Sequence, residues 1–167
     1  DVDFSKAYDS TEKFAKEISL RRMGFPEEGI DLWQMYDNSR NMRIMTAFEV
    51  TKGFHPECGA WGQGAVESPT GWLGFMCWMS EYVEKMSKDP YIYGINEFEL
   101  KITKVIYADD GTYFQKSREG GQNIMNAVAA FATATGIVVK PSKSYMYSTE
   151  KGRPVIIPTY DQSQNKV

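Results

Sequence analysis

Apolar residues change their spacing several times along the chain, and each change marks an element. Asp1 to Phe4 reads as the end of a strand that begins upstream. Asp9-Ser10-Thr11-Glu12 then has the form of a capping box, a side chain to accept a first-turn amide and a glutamate three residues on, and Phe14, Ile18 and Met23 follow at helical spacing. Gly24 and Pro26 end that helix, and a second runs from Pro26 through Ile30, Trp33 and Tyr36. Met42, Ile44, Thr46, Phe48 and Val50 alternate with other residues, which predicts a strand. Thr51 to Glu67 is rich in glycine, has no period and predicts a loop. Ser68-Pro69 then offers an N-cap and a first-position proline for a helix ending near Lys88, apolar almost all round and so expected to be buried.

Leu100 to Tyr107 and Thr112 to Gln115 are β-prone runs joined across Ala108-Asp109-Asp110-Gly111, where Asp-Gly is a hairpin signal. Gln122 to Thr135 is an alanine-rich helix with Ile124, Val128 and Phe131 on one stripe and Gly136 placed to end it. Ile137 to Val139, Tyr145 to Tyr147 and Val155 to Ile157 are candidate strands, and the polar tail 161–167 is expected to fray. Helices interleaved with a hairpin predict an α+β class, an antiparallel sheet backed by helices, as one domain over residues 1–160.

Composition narrows the function classes. With 42% hydrophobic and 25% charged residues the chain can build a core, which excludes a disordered or collagen-like protein. Its apolar runs, such as Trp72 to Met79, fall short of the roughly 18 to 20 residues that cross a bilayer, so no membrane partner is expected. Cys58, Cys77 and His55 lack the paired spacing of a zinc site. The net charge of −3 speaks against unaided binding to nucleic acid, which clustered Lys and Arg drive. A first residue other than Met, with neither signal peptide nor presequence after it, suggests a piece of something longer.

The most informative element is Tyr107-Ala108-Asp109-Asp110. Adjacent aspartates at a tight turn repel each other, and nothing in the local sequence neutralises them. Seen alone, a solvated turn accounts for them. An apolar strand, however, leads directly into the pair, and Asp3 ends another such strand. If the two strands are neighbours, three carboxylates converge, and oxygen-only ligands select Mg²⁺ or Mn²⁺.

Four segments in order carry a family resemblance: Asp3-Phe4-Ser5-Lys6-Ala7-Tyr8-Asp9, Gln63-Gly64-Ala65-Val66-Glu67-Ser68-Pro69, Tyr107-Ala108-Asp109-Asp110, and Gly136 through Lys143. They resemble the successive palm motifs of reverse transcriptases, in a form most like non-LTR (LINE-type) retrotransposons, with group II intron enzymes next. The resemblance implies a polymerase palm that copies an RNA template onto a DNA primer from dNTP, using two Mg²⁺ ions. By the same resemblance, Asp3 and Asp109 are the principal metal ligands, with Asp110 supporting and the Phe4 carbonyl contributing. The backbone of Lys6 and Ala7 would face the triphosphate. Tyr8 would lie beneath the sugar and exclude a 2′-hydroxyl, Gln63 would contact the nucleotide and template, and Lys143 would stand near the phosphates. Taken without the motifs, Tyr8 reads as core packing and Lys143 as a solvated loop lysine.

The pattern departs from the family at Ala60 and Gly62, where glycine and a basic residue are usual, at Lys140, where asparagine is usual, and at Thr70-Gly71-Trp72, which replaces an apolar run. None of these removes a metal ligand. The family's basic fingers and thumb would lie in other segments of a parent chain, which accounts for the acidic balance and implies that the fragment alone is inactive. An RNA-dependent RNA polymerase shares the palm but needs a polar group where Tyr8 stands. A non-catalytic, domesticated palm serving as RNA-binding or assembly scaffold would typically have lost carboxylates. An intracellular location is expected, the nucleus if the source is a eukaryotic non-LTR element.

Overall fold

Alternation in the first strand decides the architecture: Val2 and Phe4 are buried in the core, while Asp1 and Asp3, between and before them, are not. The computed structural model describes residues 1–5, 7–55, 61–62, 65–95 and 97–149. Its elements are β1 (Phe4–Ser5), α1 (Ala7–Ser10), α2 (Lys13–Arg22), α3 (Glu27–Ser39), α4 (Ser68–Met86), β2 (Tyr91–Ile95), β3 (Phe98–Ile102), β4 (Lys104–Tyr107), β5 (Asp110–Tyr113), α5 (Arg118–Thr135) and β6 (Val138–Val139). They form an α+β fold in which the strands pair antiparallel as β1 with β6, β2 with β3 and β4 with β5. Val2 joins two of these pairs by exchanging backbone bonds with Gly111, 2.8 Å in one direction and 3.2 Å in the other.

Helices α4 and α5 back this sheet. Trp72, Phe75, Met79 and Val83 meet Ile124, Val128 and Phe131, and Val2 and Phe4 close the same cluster. Helix α5 begins and ends as its sequence predicts: the Ser117 hydroxyl accepts the Gly120 N–H at 3.0 Å, and Gly136 takes φ +81° at the C-cap.

Several expectations are corrected. The capping box at Asp9 to Glu12 does not form; Thr11 is buried and its hydroxyl donates to the Ala7 carbonyl at 2.8 Å, while the Glu12 N–H donates to Thr135 O. Helix α2 buries Ala15, Lys16, Ser19 and Leu20, and Phe14 is exposed. Pro26 caps α3 from just outside it. The predicted strand at Met42 to Val50 is an exposed arm that reverses at Thr46, whose hydroxyl accepts the N–H groups of Phe48 and Glu49; Phe48 is 96% exposed. Alternation there meets no second layer.

Ser68 is the first residue of α4, with its buried hydroxyl unpartnered, and the cap is Glu67. The helix is not buried all round, since Leu73 and Cys77 are exposed. The run ending at Tyr107 is split between β3 and β4, and β2, not foreseen, pairs with β3 as a hairpin with Tyr93 and Leu100 exposed. Tyr145 to Tyr147 are in no strand, although Tyr145 exchanges backbone bonds with Asp1. Val155 to Ile157 and the tail 161–167 lie outside the described residues.

Candidate active site

The β4–β5 hairpin closes in two residues, because Tyr107 pairs with Asp110 and leaves only Ala108 and Asp109 at the tip. Asp110 and Gly111, expected in the turn, already belong to β5. Ala108 takes φ +55°, the only described residue other than glycine with positive φ. Such a conformation costs an L-residue about 1 to 2 kcal/mol, so something must hold it. The Trp72 indole N–H donates to the Ala108 carbonyl at 3.1 Å. Beyond the turn, Gly111 leaves room for the ring of Tyr113, whose hydroxyl would stand 2.9 Å from a Cβ there. Burial pushes the Tyr113 phenol well above its ordinary pKa.

Strand parity orients the other half. The carbonyls of Asp1 and Asp3 accept from Tyr145 and Lys140 on one edge, at 3.0 and 2.8 Å, whereas Val2 pairs with Gly111 on the opposite edge. Phe4, two residues beyond Val2, therefore directs its carbonyl toward the edge where the Ala108-Asp109 turn ends the hairpin. One residue past the Val2–Gly111 bridge lie Asp3 on one strand and Asp110 on the other. On this outer side the Thr112 hydroxyl also donates to Asp1 Oδ1 at 2.5 Å.

Asp3 is held from beneath by the segment after β6. Its N–H donates to the Ser144 hydroxyl at 3.3 Å, and its carboxylate stands 3.8 Å from Lys143 Nζ in the 3-10 turn Pro141–Lys143. Lys143 is mostly exposed, at 61% of its side chain against 22% for Asp3. Among the described residues, no three His, Cys, Asp or Glu side chains are grouped so as to hold a metal ion. The backbone thus brings Asp3, Asp109 and Asp110 to one edge, but the expected convergence of their carboxylates into a ligand cluster is not seen. The donor chemistry there, carboxylate and carbonyl oxygen, is nonetheless the kind that hard divalent cations take.

Tyr8, on α1, stacks on Trp72 with centroids 5.0 Å apart and planes at 21°. Its phenol is pushed above the ordinary value, first by burial and then by the Asp109 carboxylate, which puts Tyr8 within electrostatic reach of the turn. Ala7, the first residue of α1, is buried. Lys6 and Gln63 lie outside the described residues. The chain next to Gln63 is anchored by Trp61, fully buried, whose N–H donates to Tyr8 O at 3.4 Å. Gly62 leaves room for Arg40: a Cβ there would come within 3.0 Å of Nη1.

The family described as reverse transcriptase (RNA-dependent DNA polymerase) matches residues 1–164. This chain belongs to the reverse transcriptase family. No curated protein matches it. At the level of the family, membership means RNA-directed DNA polymerisation, with an RNA template, a primer and nucleotides as the partners. Within this reverse transcriptase segment, the structural roles of Trp72 and Trp61 are not foreseen by the sequence. The signal that could have found Trp61 is Gly71, where a Cβ would meet its ring at 2.0 Å: glycine in a helix interior marks a close approach.

Proposed function

We propose that this chain is the catalytic palm of a non-LTR-type retroelement reverse transcriptase and carries out RNA-templated transfer of deoxynucleotides to a primer 3′-hydroxyl. The observation that supports this most is the Val2–Gly111 pairing, which runs the strand of Asp3 beside the turn of Asp109 and Asp110. In the reaction the 3′-oxygen bonds to the α-phosphorus of the dNTP as the bond to pyrophosphate breaks, and the hydroxyl proton is released. Two divalent cations, Mg²⁺ or Mn²⁺, held by Asp3, Asp109, Asp110 and the Phe4 carbonyl, would supply activation of the hydroxyl and neutralise the leaving pyrophosphate.

The chain's own residues orient the reactants. Tyr8, backed by Trp72, presents a flat ring of fixed height where a sugar would rest, so that an added 2′-hydroxyl clashes. Lys143, exposed beside Asp3, is free to move toward phosphate and to donate a proton to pyrophosphate. Gln63 and the Lys6 and Ala7 amides are assigned to the nucleotide from the motifs they occupy.

Net acidity, −3 over the chain, leaves the grip on a duplex to basic fingers and thumb segments of a parent protein. The test is synthesis on an RNA template by a protein joining these residues to such segments, with Mg²⁺ present and then chelated. We expect metal-dependent synthesis there and little from residues 1–167 alone. Synthesis indifferent to chelation would end the two-metal reading, and none under any condition would favour a non-catalytic scaffold.

A further inference from the structure

Trp72 makes two contacts that point in different functional directions. Its ring, 2% exposed, lies between Tyr8 at 5.0 Å and Phe75 at 5.1 Å, nearly parallel to both. Its indole N–H reaches the Ala108 carbonyl, the peptide group that links the positive-φ residue to Asp109. The indole is itself held. Gly71 packs on the Trp61 ring, with no space for a Cβ, and the backbone N–H of Trp61 donates to the Tyr8 carbonyl. Tyr8, Trp61 and the first turn of α4 are therefore connected in a closed circuit, from which the Trp72 side chain reaches the Ala108 carbonyl at the Asp109 turn.

A residue needed for packing alone would require only the ring. A phenylalanine would fill the stack but could not bond the carbonyl, and a leucine would do neither. The bond falls where the backbone is strained, and a donor fixed there selects one orientation of the peptide preceding Asp109. We infer that Trp72 is a positioning residue for nucleotidyl transfer, which sets the height of Tyr8 through its face and the orientation of Asp109 through its edge. This rests on the palm reading above.

The two contacts can be separated by substitution in the protein that joins these residues to fingers and thumb. Trp72→Phe keeps the stack and loses the bond, so the preference for dNTP over rNTP should hold. The Mg²⁺ concentration for half-maximal synthesis should rise about threefold to tenfold, the range for one hydrogen bond of ordinary net strength. Trp72→Leu removes both, so the sugar preference should also fall, by about tenfold. An Ala108→Gly background should shrink the metal effect of Trp72→Phe, because glycine takes positive φ without a tether.

Three results would overturn the inference: Trp72→Phe matching wild type in metal dependence, both variants losing synthesis in proportion with no split between metal and sugar effects, or neither variant folding. Asp109→Asn serves as the control. If that variant still synthesises DNA, the palm reading itself has failed; if it is dead while Trp72→Phe is normal, only the role of Trp72 has.

Discussion

Two groups of charges stand in this chain, and they are built on opposite plans. Around α2 and α3, Lys16 and Arg40 face Asp37 and Glu67; the Lys16 ammonium is paired with Asp37, Arg40 Nη2 lies 3.0 Å from Asp37 and 3.5 Å from Glu67, and Lys16 also stands over the rings of Trp33 and Trp61. At the edge formed by the Val2–Gly111 bridge, the cation paired with Asp3, Asp109 or Asp110 among the described residues is Lys143, 3.8 Å from Asp3. The first group is balanced two against two and centred on a buried lysine, with 5% of the Lys16 side chain exposed while Glu67 stays one-third open. The second carries surplus negative charge on an open edge. A balanced group between helices holds them in place, whereas a surplus of carboxylate at an edge leaves charge open to a cation from solvent.

Asp109→Asn is the sharpest way to break that distinction. The change preserves shape and removes one negative charge, so in the protein with fingers and thumb it should lower DNA synthesis by about a thousandfold, the scale of lost metal-borne charge stabilisation. Circular dichroism and melting should stay near wild type. Near-normal Mg²⁺-dependent synthesis would mean that the edge charge is surplus to the reaction.

Lys16→Met tests the other group and should act in reverse. Asp37 loses one of two cations while remaining enclosed, so unfolding free energy should drop by about 3 kcal/mol, toward the low end for a broken buried pair because Arg40 still faces it. Asp110→Asn, by contrast, relieves repulsion at the turn and should leave stability level or raise it by about 0.2 to 1 kcal/mol. Urea denaturation of the two variants side by side decides this. Equal effects would erase the contrast between the groups.

What could be read beforehand follows the same division. At the edge, the Asp109-Asp110 turn and the strand beside Asp3 are legible in consecutive residues, although Asp3 stands just before β1 rather than closing a strand, and among the described residues the carboxylates form no group that could hold a metal. The neighbouring of the two strands, posed as a condition, is a matter of backbone pairing, which the Val2–Gly111 bridge supplies. Helix α2 was misread because it meets α4 through small residues. Ala15 and Ser19 are fully buried, and a Cβ on Gly74 would come within 2.3 Å of the Met23 sulfur. Small residues and a paired lysine leave no hydrophobic period, so the apolar spacing follows Phe14, Ile18 and Met23 instead of the buried face. The arm at Met42 to Val50 failed in the opposite sense: it alternates as a strand does, but side-chain bonds at Thr46 turn it, and it has no strand beyond its isolated bridges. Trp72 was noticed only as a departure, since neither a stack nor a bond to a turn carbonyl has a sequence period.

Tyr8→Val sharpens the comparison at the border between the two plans, where a core ring meets the charged edge. Removing the ring opens space beside the sugar, and the preference for dNTP over rNTP should fall about tenfold to a hundredfold while total synthesis persists. Measured incorporation of both nucleotides by wild type and variant is the check. An unchanged ratio would return Tyr8 to the core, as a ring that merely packs on Trp72.

The smallest effect concerns the proton on that ring. Tyr8 is held above its ordinary value of 10.0, by burial first and by the Asp109 carboxylate second. Asp109→Asn should therefore lower the Tyr8 pKa only in part, leaving the contribution of burial in place. Alkaline titration followed by ultraviolet difference absorbance, with Tyr8→Phe to identify the signal, reads the change directly. The sign of the linked stability effect follows from which state gives up the proton first. With the folded value above 10.0, the unfolded chain releases it earlier, so stability is full below pH 10.0 and falls as pH rises through the folded value. In Asp109→Asn that alkaline loss should be smaller, since the gap between folded and unfolded values has narrowed. An unshifted Tyr8 in this variant would mean that the carboxylate does not reach the ring, and the link between Tyr8 and the Asp109 turn would then have to run through Trp72 alone.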